Sequence, residues 1–432
     1  MSIQDDLAPR PPMGWNSWIT YACSVTEEEV KAQARCMVRD LARFGYQYVV
    51  VDACWYKDTD QYGRFIPDPD RFPSARDGAG FRPLADFVHG LGLKFGIHIM
   101  RGVPRSAAER NLPILGSVQG AGDVANRGST CTWSDGMWGL QMNQPGAQAY
   151  LDSIMSLYAS WGVDFIKADD MVRGWQPGDA QEVYHAAEVE GMAKAIRKAG
   201  RRIVLSLSPG DSAPPAFAPH MRQWAEMARV SGDFWDTWPE LKRQFGLCSA
   251  WAPYIGGGFW PDADMLPLGR IGLRFDAASR GPDRPTRFTP CEQHTLMTLW
   301  CVFRSPLLVG GDLTRMDQAT LALLTNPEVL AVNQNSAGNR EFFRRGDCLA
   351  WHAVDPGSGD LYLALFNLSD EQGEGGASFA ELGWEGPCQV RDLWARKEVG
   401  VADQAFGARL PAHGSGLYRL SRAPCRASCR PS

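Results

Sequence analysis

Between Pro12 and Gly310 the sequence places eight short apolar runs, each followed by a longer stretch, several of them amphipathic at helical spacing. The runs are Pro12–Trp15, Tyr48–Asp52, Phe95–Ile99, Val163–Ala168, Ile203–Leu207, Arg229–Ser231, Tyr254–Phe259 and Leu307–Gly310. Strand and helix in alternation predict a parallel sheet with helical crossovers, and eight such units are the number that closes a barrel. Thr26–Arg43 is the clearest helix, opening on the capping box Thr26-x-x-Glu29 and ending near Gly45. Ala147–Trp161, Ala180–Ala199 and Glu292–Phe303 have the same periodicity, whereas Arg101–Asn143 and Gly269–Pro290 read as long loops of the kind that serve a site. After Glu341 the texture becomes short alternating runs, among them Cys348–Ala353, Leu361–Asn367 and Gly416–Leu420, separated by Gly, Pro and Asp turns. The expected architecture is an α/β (β/α)8 TIM barrel over residues 1–340. A small antiparallel all-β, sandwich-like domain is expected over 341–422, and an aperiodic, disordered tail over 423–432.

Composition excludes several function classes. Net charge is −5, with 44% hydrophobic and 22% charged residues, which gives no electrostatic footprint for nucleic acid. The opening MSIQDDLAPRPP has no basic segment leading into an apolar one, and no run approaches about 18 apolar residues. A soluble, unprocessed, cytoplasmic chain without a membrane partner is the expectation, and a homo-oligomer is compatible with it. Eleven cysteines lack C-x-x-C spacing and seven histidines form neither H-x-H nor H-E-x-x-H, so no metal and no cofactor are expected. Most of the cysteines read as reduced core thiols, and most of the sixteen tryptophans as core or rim residues.

Barrel sites lie at the C-terminal ends of the strands, and here nearly every strand ends in a polar residue. In order these are Trp18, Asp52, His98, Lys167 with Asp169, Ser208, Arg229 with Asp233, Asp264 and Asp312. Carboxylates and cations satisfy sugar hydroxyls, which both donate and accept, while an aromatic face stacks on the C–H face of the ring. Glycoside hydrolysis needs two carboxyl groups in different roles, one ionised and one protonated. Asp169 lies two residues beyond Lys167, so alternation points both inward, with the ammonium keeping the carboxylate ionised; Asp170 is the alternative. Gly232 permits a turn that aims Asp233 inward, while Asp236, three residues on, reads as a cap of the following helix.

Pro11-Pro-Met-Gly-Trp-Asn-Ser-Trp18 resembles the opening signature of glycoside hydrolase family 27, the α-galactosidase and α-N-acetylgalactosaminidase family. Val51-Asp-Ala-Cys-Trp55, Trp161-Gly-Val-Asp-Phe-Ile-Lys-Ala-Asp169, Arg229-Val-Ser-Gly-Asp233, Phe259-Trp-Pro-Asp-Ala-Asp-Met265 and Asn333-Gln-Asn335 continue the likeness in order. The resemblance implies a retaining exo-hydrolase, most closely α-galactosidase-like, acting on the terminal sugar of an oligosaccharide or glycoside, with Asp169 as nucleophile and Asp233 as acid/base. It assigns Trp18, Asp52, Lys167, Arg229 and Asp264 to the sugar pocket, with His98 and Ser208 as further candidates.

The departures bear on the substrate. Relatives usually carry two adjacent aspartates where this chain has Asp52 and Ala53, which keeps α-N-acetylgalactosamine, β-L-arabinopyranose and a glucose-configured sugar open beside α-D-galactose. Ser208 and Gly210 leave room beside the 2-position unless the loop Cys131–Asn143 fills it. His98 replaces a common tyrosine, as pocket wall or buried imidazole. Cys23 and Cys54 stand where relatives often have a disulfide, whereas Met171 replaces a cysteine of another bridge. Transglycosylation and an inactive sugar-binding protein are the remaining alternatives.

Overall fold

The computed structural model describes residues 7–172, 184–209, 213–274 and 282–422. It divides into two compact units: Met1–Asp236 with Gly256–Thr286 and Pro306–Leu321, and Thr237–Ile255 with Arg287–Ser305 and Ala322–Ser432.

The first unit holds eight parallel strands: β1 Met13–Asn16, β2 Tyr48–Val51, β3 Lys94–Met100, β4 Phe165–Asp169, β5 Val204–Leu207, β6 Met227–Arg229, β7 Trp260–Asp262 and β8 Leu307–Val309. They lie in the order β7-β6-β5-β4-β3-β2-β1-β8. Leu266 closes the curl by bridging Val309 in parallel, its N–H donating to Leu308 O at 2.8 Å while Gly310 N–H donates to Leu266 O at 2.9 Å. Strands buried on both faces need continuous apolar residues, which Tyr48-Val-Val-Val51 supplies. Gly14 is required by close approach, since a Cβ there would meet Tyr48 O at 2.2 Å.

Sequence and structure agree on the first crossover helix, α1 Glu27–Asp40, where Thr26 N–H donates to Glu29 Oε2 at 2.9 Å in the anticipated capping box. Val30, Ala34 and Met37 form its buried stripe, and Gly45 ends the following turn at φ 102°. Two strands depart from expectation. The sixth lies upstream, over Met227–Arg229, and the seventh is Trp260–Asp262 instead of Tyr254–Phe259. In the latter, Gly256, Gly257 and Gly258 all take positive φ, so the run expected to be extended is consumed by a turn that bridges Gly256 to Phe259. The expected loop Arg101–Asn143 holds a small antiparallel sheet of Val103–Pro104, Met137–Leu140 and Ala125–Thr130.

The second unit contains the C-terminal strands, beginning at Ala337: β9 Ala337–Arg345, β10 Cys348–Val354, β11 Leu361–Asn367, β12 Gly373–Ser378, β13 Cys388–Asp392, β14 Lys397–Ala402, β15 Ala405–Leu410 and β16 Ser415–Arg422. Six form an antiparallel sheet in the order β9-β10-β11-β16-β13-β14, and β12 pairs with β15. Leu363, Leu365, Cys388, Val390 and Leu420 are buried in its core. Residues 423–432, read from sequence as a tail, lie outside the described residues. Cys23 and Cys54 form a disulfide, whereas Cys36, Cys131, Cys291, Cys301, Cys348 and Cys388 carry free thiols.

Candidate active site

A cleft of about 340 Å³ opens at the C-terminal ends of the parallel strands, lined by Trp18, Asp52, Lys167, Asp169 and Asp233, together with Ala53, Trp133 and Pro209. Five of the ten strand-end residues singled out from sequence therefore share one surface.

Asp52 follows β2 and is buried. Its Oδ2 accepts from Asn16 Nδ2 at 2.7 Å and from Lys167 Nζ at 2.9 Å, and Ser17 Oγ accepts from its N–H at 2.9 Å. Burial pushes its carboxyl up, but the Lys167 and His98 charges and the bonds from Lys167 and Asn16 outweigh it, leaving Asp52 far below the carboxylate range. Asn16, which sequence reasoning passed over inside the opening motif, also accepts from Trp18 N–H at 2.8 Å, so one amide places both the carboxylate and the aromatic wall.

Lys167 and Asp169 both face the cleft, as alternation predicts, and the Lys167 charge lowers Asp169, but the ion pair of Lys167 is with Asp52. The partner of Asp169 is His98. Register sets His98 of β3 beside Lys167 of β4, and His98 Nε2 lies 3.1 Å from Asp169 Oδ2. His98 is 1% exposed and does not line the cleft; its role is to hold Asp169. Burial raises Asp169, yet the His98 hydrogen bond and the charges of His98, Lys167 and Arg229 bring it below the usual carboxylate value. The neighbouring Asp170 turns away at φ 63°, where Arg101 donates to its Oδ2 from Nε at 3.1 Å and Nη2 at 2.8 Å. Arg101 also donates to Glu188 Oε1 at 2.6 Å, so Asp170 belongs to a buried ionic cluster outside the cleft.

Arg229 ends β6. Its Nη2 donates to Asp233 Oδ1 at 3.0 Å, and Nε and Nη2 donate to Ser231 O at 3.2 and 3.1 Å. Arg229 and Asp264 are buried behind the cleft wall, with Arg229 Nε 3.6 Å from Asp264 Oδ1 and Asp264 Oδ2 accepting from Phe234 N–H at 2.8 Å. Asp262, not singled out from sequence, accepts from Asp264 N–H at 2.9 Å and is pushed up to about 7 by burial and by the Asp264 charge.

Ser208, Asp312 and Asp236 do not reach the cleft either. Ser208 is fully buried, with its N–H donating to Ala168 O at 2.8 Å, and Pro209 forms the surface there; Gly210 lies outside the described residues. Asp312 accepts from Gln33 Nε2 at 2.8 Å and Arg315 Nε at 2.7 Å, which makes it a structural anchor. Asp236 accepts from Arg284 Nη2 at 2.9 Å, and Thr237 takes the helix N-cap position. No group of His, Cys, Asp and Glu suited to a metal ion occurs among the described residues.

A family profile described as alpha galactosidase A matches residues 10–109 and 135–335, and one described as the alpha galactosidase C-terminal beta sandwich domain matches 350–420. Alpha-galactosidase 3 of Arabidopsis thaliana is 31% identical over 98% of this chain and 84% of its own length. Alpha-galactosidase A of Cellvibrio japonicus is 29% identical over 96% and 93%. The solved structure of a GH27 β-L-arabinopyranosidase from Geobacillus stearothermophilus superposes with a TM-score of 0.94 and 46% identity, covering 99% of each chain.

Proposed function

We infer that this chain, which belongs to glycoside hydrolase family 27, is a retaining exo-glycosidase that releases a terminal β-L-arabinopyranosyl unit. The observation that carries the chemistry is that Asp169 and Asp233 reach one cleft from two strands in unlike surroundings. Asp169 is held ionised between His98 and Lys167, while the Asp233 side chain is 38% exposed at the rim. In the first step Asp169 attacks the anomeric carbon as Asp233 gives its proton to the departing oxygen, so the glycosidic bond breaks and an aspartyl ester forms. Asp233 then takes a proton from water, whose oxygen attacks the anomeric carbon of the glycosyl ester, frees the Asp169 carboxylate and leaves the sugar with its original anomeric configuration. The buried Asp52–Lys167 pair presents both an acceptor and donors to ring hydroxyls.

The sugar preference rests on Ala53. A β-L-arabinopyranoside repeats the ring hydroxyls of an α-D-galactopyranoside with hydrogen in place of the exocyclic hydroxymethyl. At position 53 the cleft wall offers a methyl group and no acceptor for a further hydroxyl. The 46% identity to an arabinopyranosidase supports this choice, and the α-galactosidase names of the curated relatives support α-D-galactose as the second reading. A screen of 4-nitrophenyl β-L-arabinopyranoside, α-D-galactoside, α-N-acetylgalactosaminide and α-glucoside is expected to favour the first in kcat/KM by about tenfold or more. Ala53→Asp is expected to move that ratio toward the galactoside by about 10- to 100-fold. A wild-type preference for galactoside would overturn the sugar assignment and leave the hydrolase intact.

His98 provides a pH test. Its hydrogen bond lowers Asp169, so removing it leaves burial less opposed and the carboxyl rises. His98→Phe is therefore expected to shift the acid limb of kcat/KM to higher pH and to reduce the rate at acid pH by about tenfold. An unmoved limb would show that Asp169 does not depend on His98.

A further inference from the structure

Trp133 stands out among the cleft residues. It is 49% exposed, and of the eight residues that line the cleft only Trp133 and Asp233 are exposed; the others are buried or half-buried. Residues 110–134 fall between the two stretches matched by the family profile, so the wall that Trp133 contributes belongs to a segment outside the matched barrel core.

The loop carrying Trp133 is braced. Cys131 packs with Met100 and Met137, and Phe65 covers them. The Cys131 thiol hydrogen-bonds the Asp170 carboxyl, which Arg101 holds, and Arg101 Nη1 also donates to Ser129 Oγ at 3.0 Å. The loop is thus tied at Ser129 to Arg101 and at Cys131 to Asp170, the residue that follows Asp169. A loop braced in this way loses little conformational freedom when its exposed indole stacks, which favours a contact surface over a mobile cover.

We propose that Trp133 is the platform for the leaving group, stacking the apolar face of a pyranose ring linked to the released sugar. The assignment rests on the glycosidase reading above. The buried carboxylates take the terminal sugar, and the ring beyond the departing oxygen lies on the rim side, where Asp233 protonates it and Trp133 is exposed. Flat C–H faces stack on indole without demanding a particular hydroxyl pattern, so this platform selects for the presence of a ring and tolerates its identity.

The test compares wild type, Trp133→Ala and Trp133→Phe on three donors of the same terminal sugar: the glycosyl fluoride, the 4-nitrophenyl glycoside and a disaccharide. Fluoride is a one-atom leaving group and does not reach Trp133. Trp133→Ala is expected to lower kcat/KM about tenfold on the disaccharide and the aryl glycoside, and less than about twofold on the fluoride, with Trp133→Phe recovering most of the loss. Equal losses on all three donors would place Trp133 against the terminal sugar, and no loss on any would remove it from recognition; either overturns the proposal. A wild type that releases no fluoride would bring down the glycosidase reading, and the platform with it, which separates that failure from the other two.

Discussion

Asp169→Ala is expected to lower kcat by about 10⁴-fold or more, with the folded state retained, because removing a covalent nucleophile removes the intermediate. Folding should survive because Lys167 keeps Asp52 and Asn16 as its surroundings, and the gap beside His98 Nε2 opens on the cleft, where water can enter. Azide supplied to this variant is expected to attack the anomeric carbon from the vacated side and give a glycosyl azide of configuration opposite to the substrate. Product configuration read by NMR, alongside thermal unfolding, decides the matter. Near-wild-type turnover would move the nucleophile elsewhere, and a retained azide product would contradict attack from the Asp169 side.

The fold was legible where burial demands an unbroken apolar run. Tyr48–Val51, Val204–Leu207 and Leu307–Val309 are such strands, and each falls inside its expected range. The seventh strand was not legible, since Trp260-Pro-Asp262 carries a proline and a carboxylate, both contrary to strand preferences, and precedes a stretch whose Leu266 completes the ring. Pro261 is tolerated because β7 stands at the end of the strand order, with β6 as its strand partner and the ring closed beyond it by Leu266; Pro261 is in register with Ala228, and Val230 N–H donates to Asp262 O at 2.9 Å.

Strand-end logic found the carboxylates but not their partners. Whether Lys167 reaches Asp52 or Asp169 depends on the stagger of β2, β3 and β4, a tertiary property that alternation along one strand does not encode. The same limit hid Arg101, whose charge is spent inside the protein on Asp170 and Glu188. The later landmark Asn333 proves to be a brace, its Nδ2 donating to Ser305 O at 2.8 Å and Trp300 O at 3.3 Å. Trp133 gave only the weak signal of a tryptophan in a long loop, while Trp15, Trp55, Trp251, Trp260, Trp300 and Trp351 are the buried core expected of most tryptophans.

The second large effect is expected at Asp233, and its signature is dependence on the leaving group. Proton donation matters in proportion to the basicity of the departing oxygen, so Asp233→Ala should lower kcat/KM by about 10³-fold for a disaccharide and far less for a 4-nitrophenyl glycoside, whose phenolate departs unaided. The second step loses its general base in either case, so the glycosyl-enzyme should accumulate and a burst of nitrophenol should precede slow turnover. Arg229 keeps Ser231 O and Asp264 as partners, so the cleft wall should hold its shape. Azide should again accelerate turnover, this time by displacing the Asp169 carboxylate at the anomeric carbon of the glycosyl-enzyme, and the product should keep the substrate's configuration. Opposite azide stereochemistry in the two variants would assign both carboxylates by chemistry alone, whereas a uniform loss across leaving groups would mean that Asp233 binds the sugar and does not move the proton.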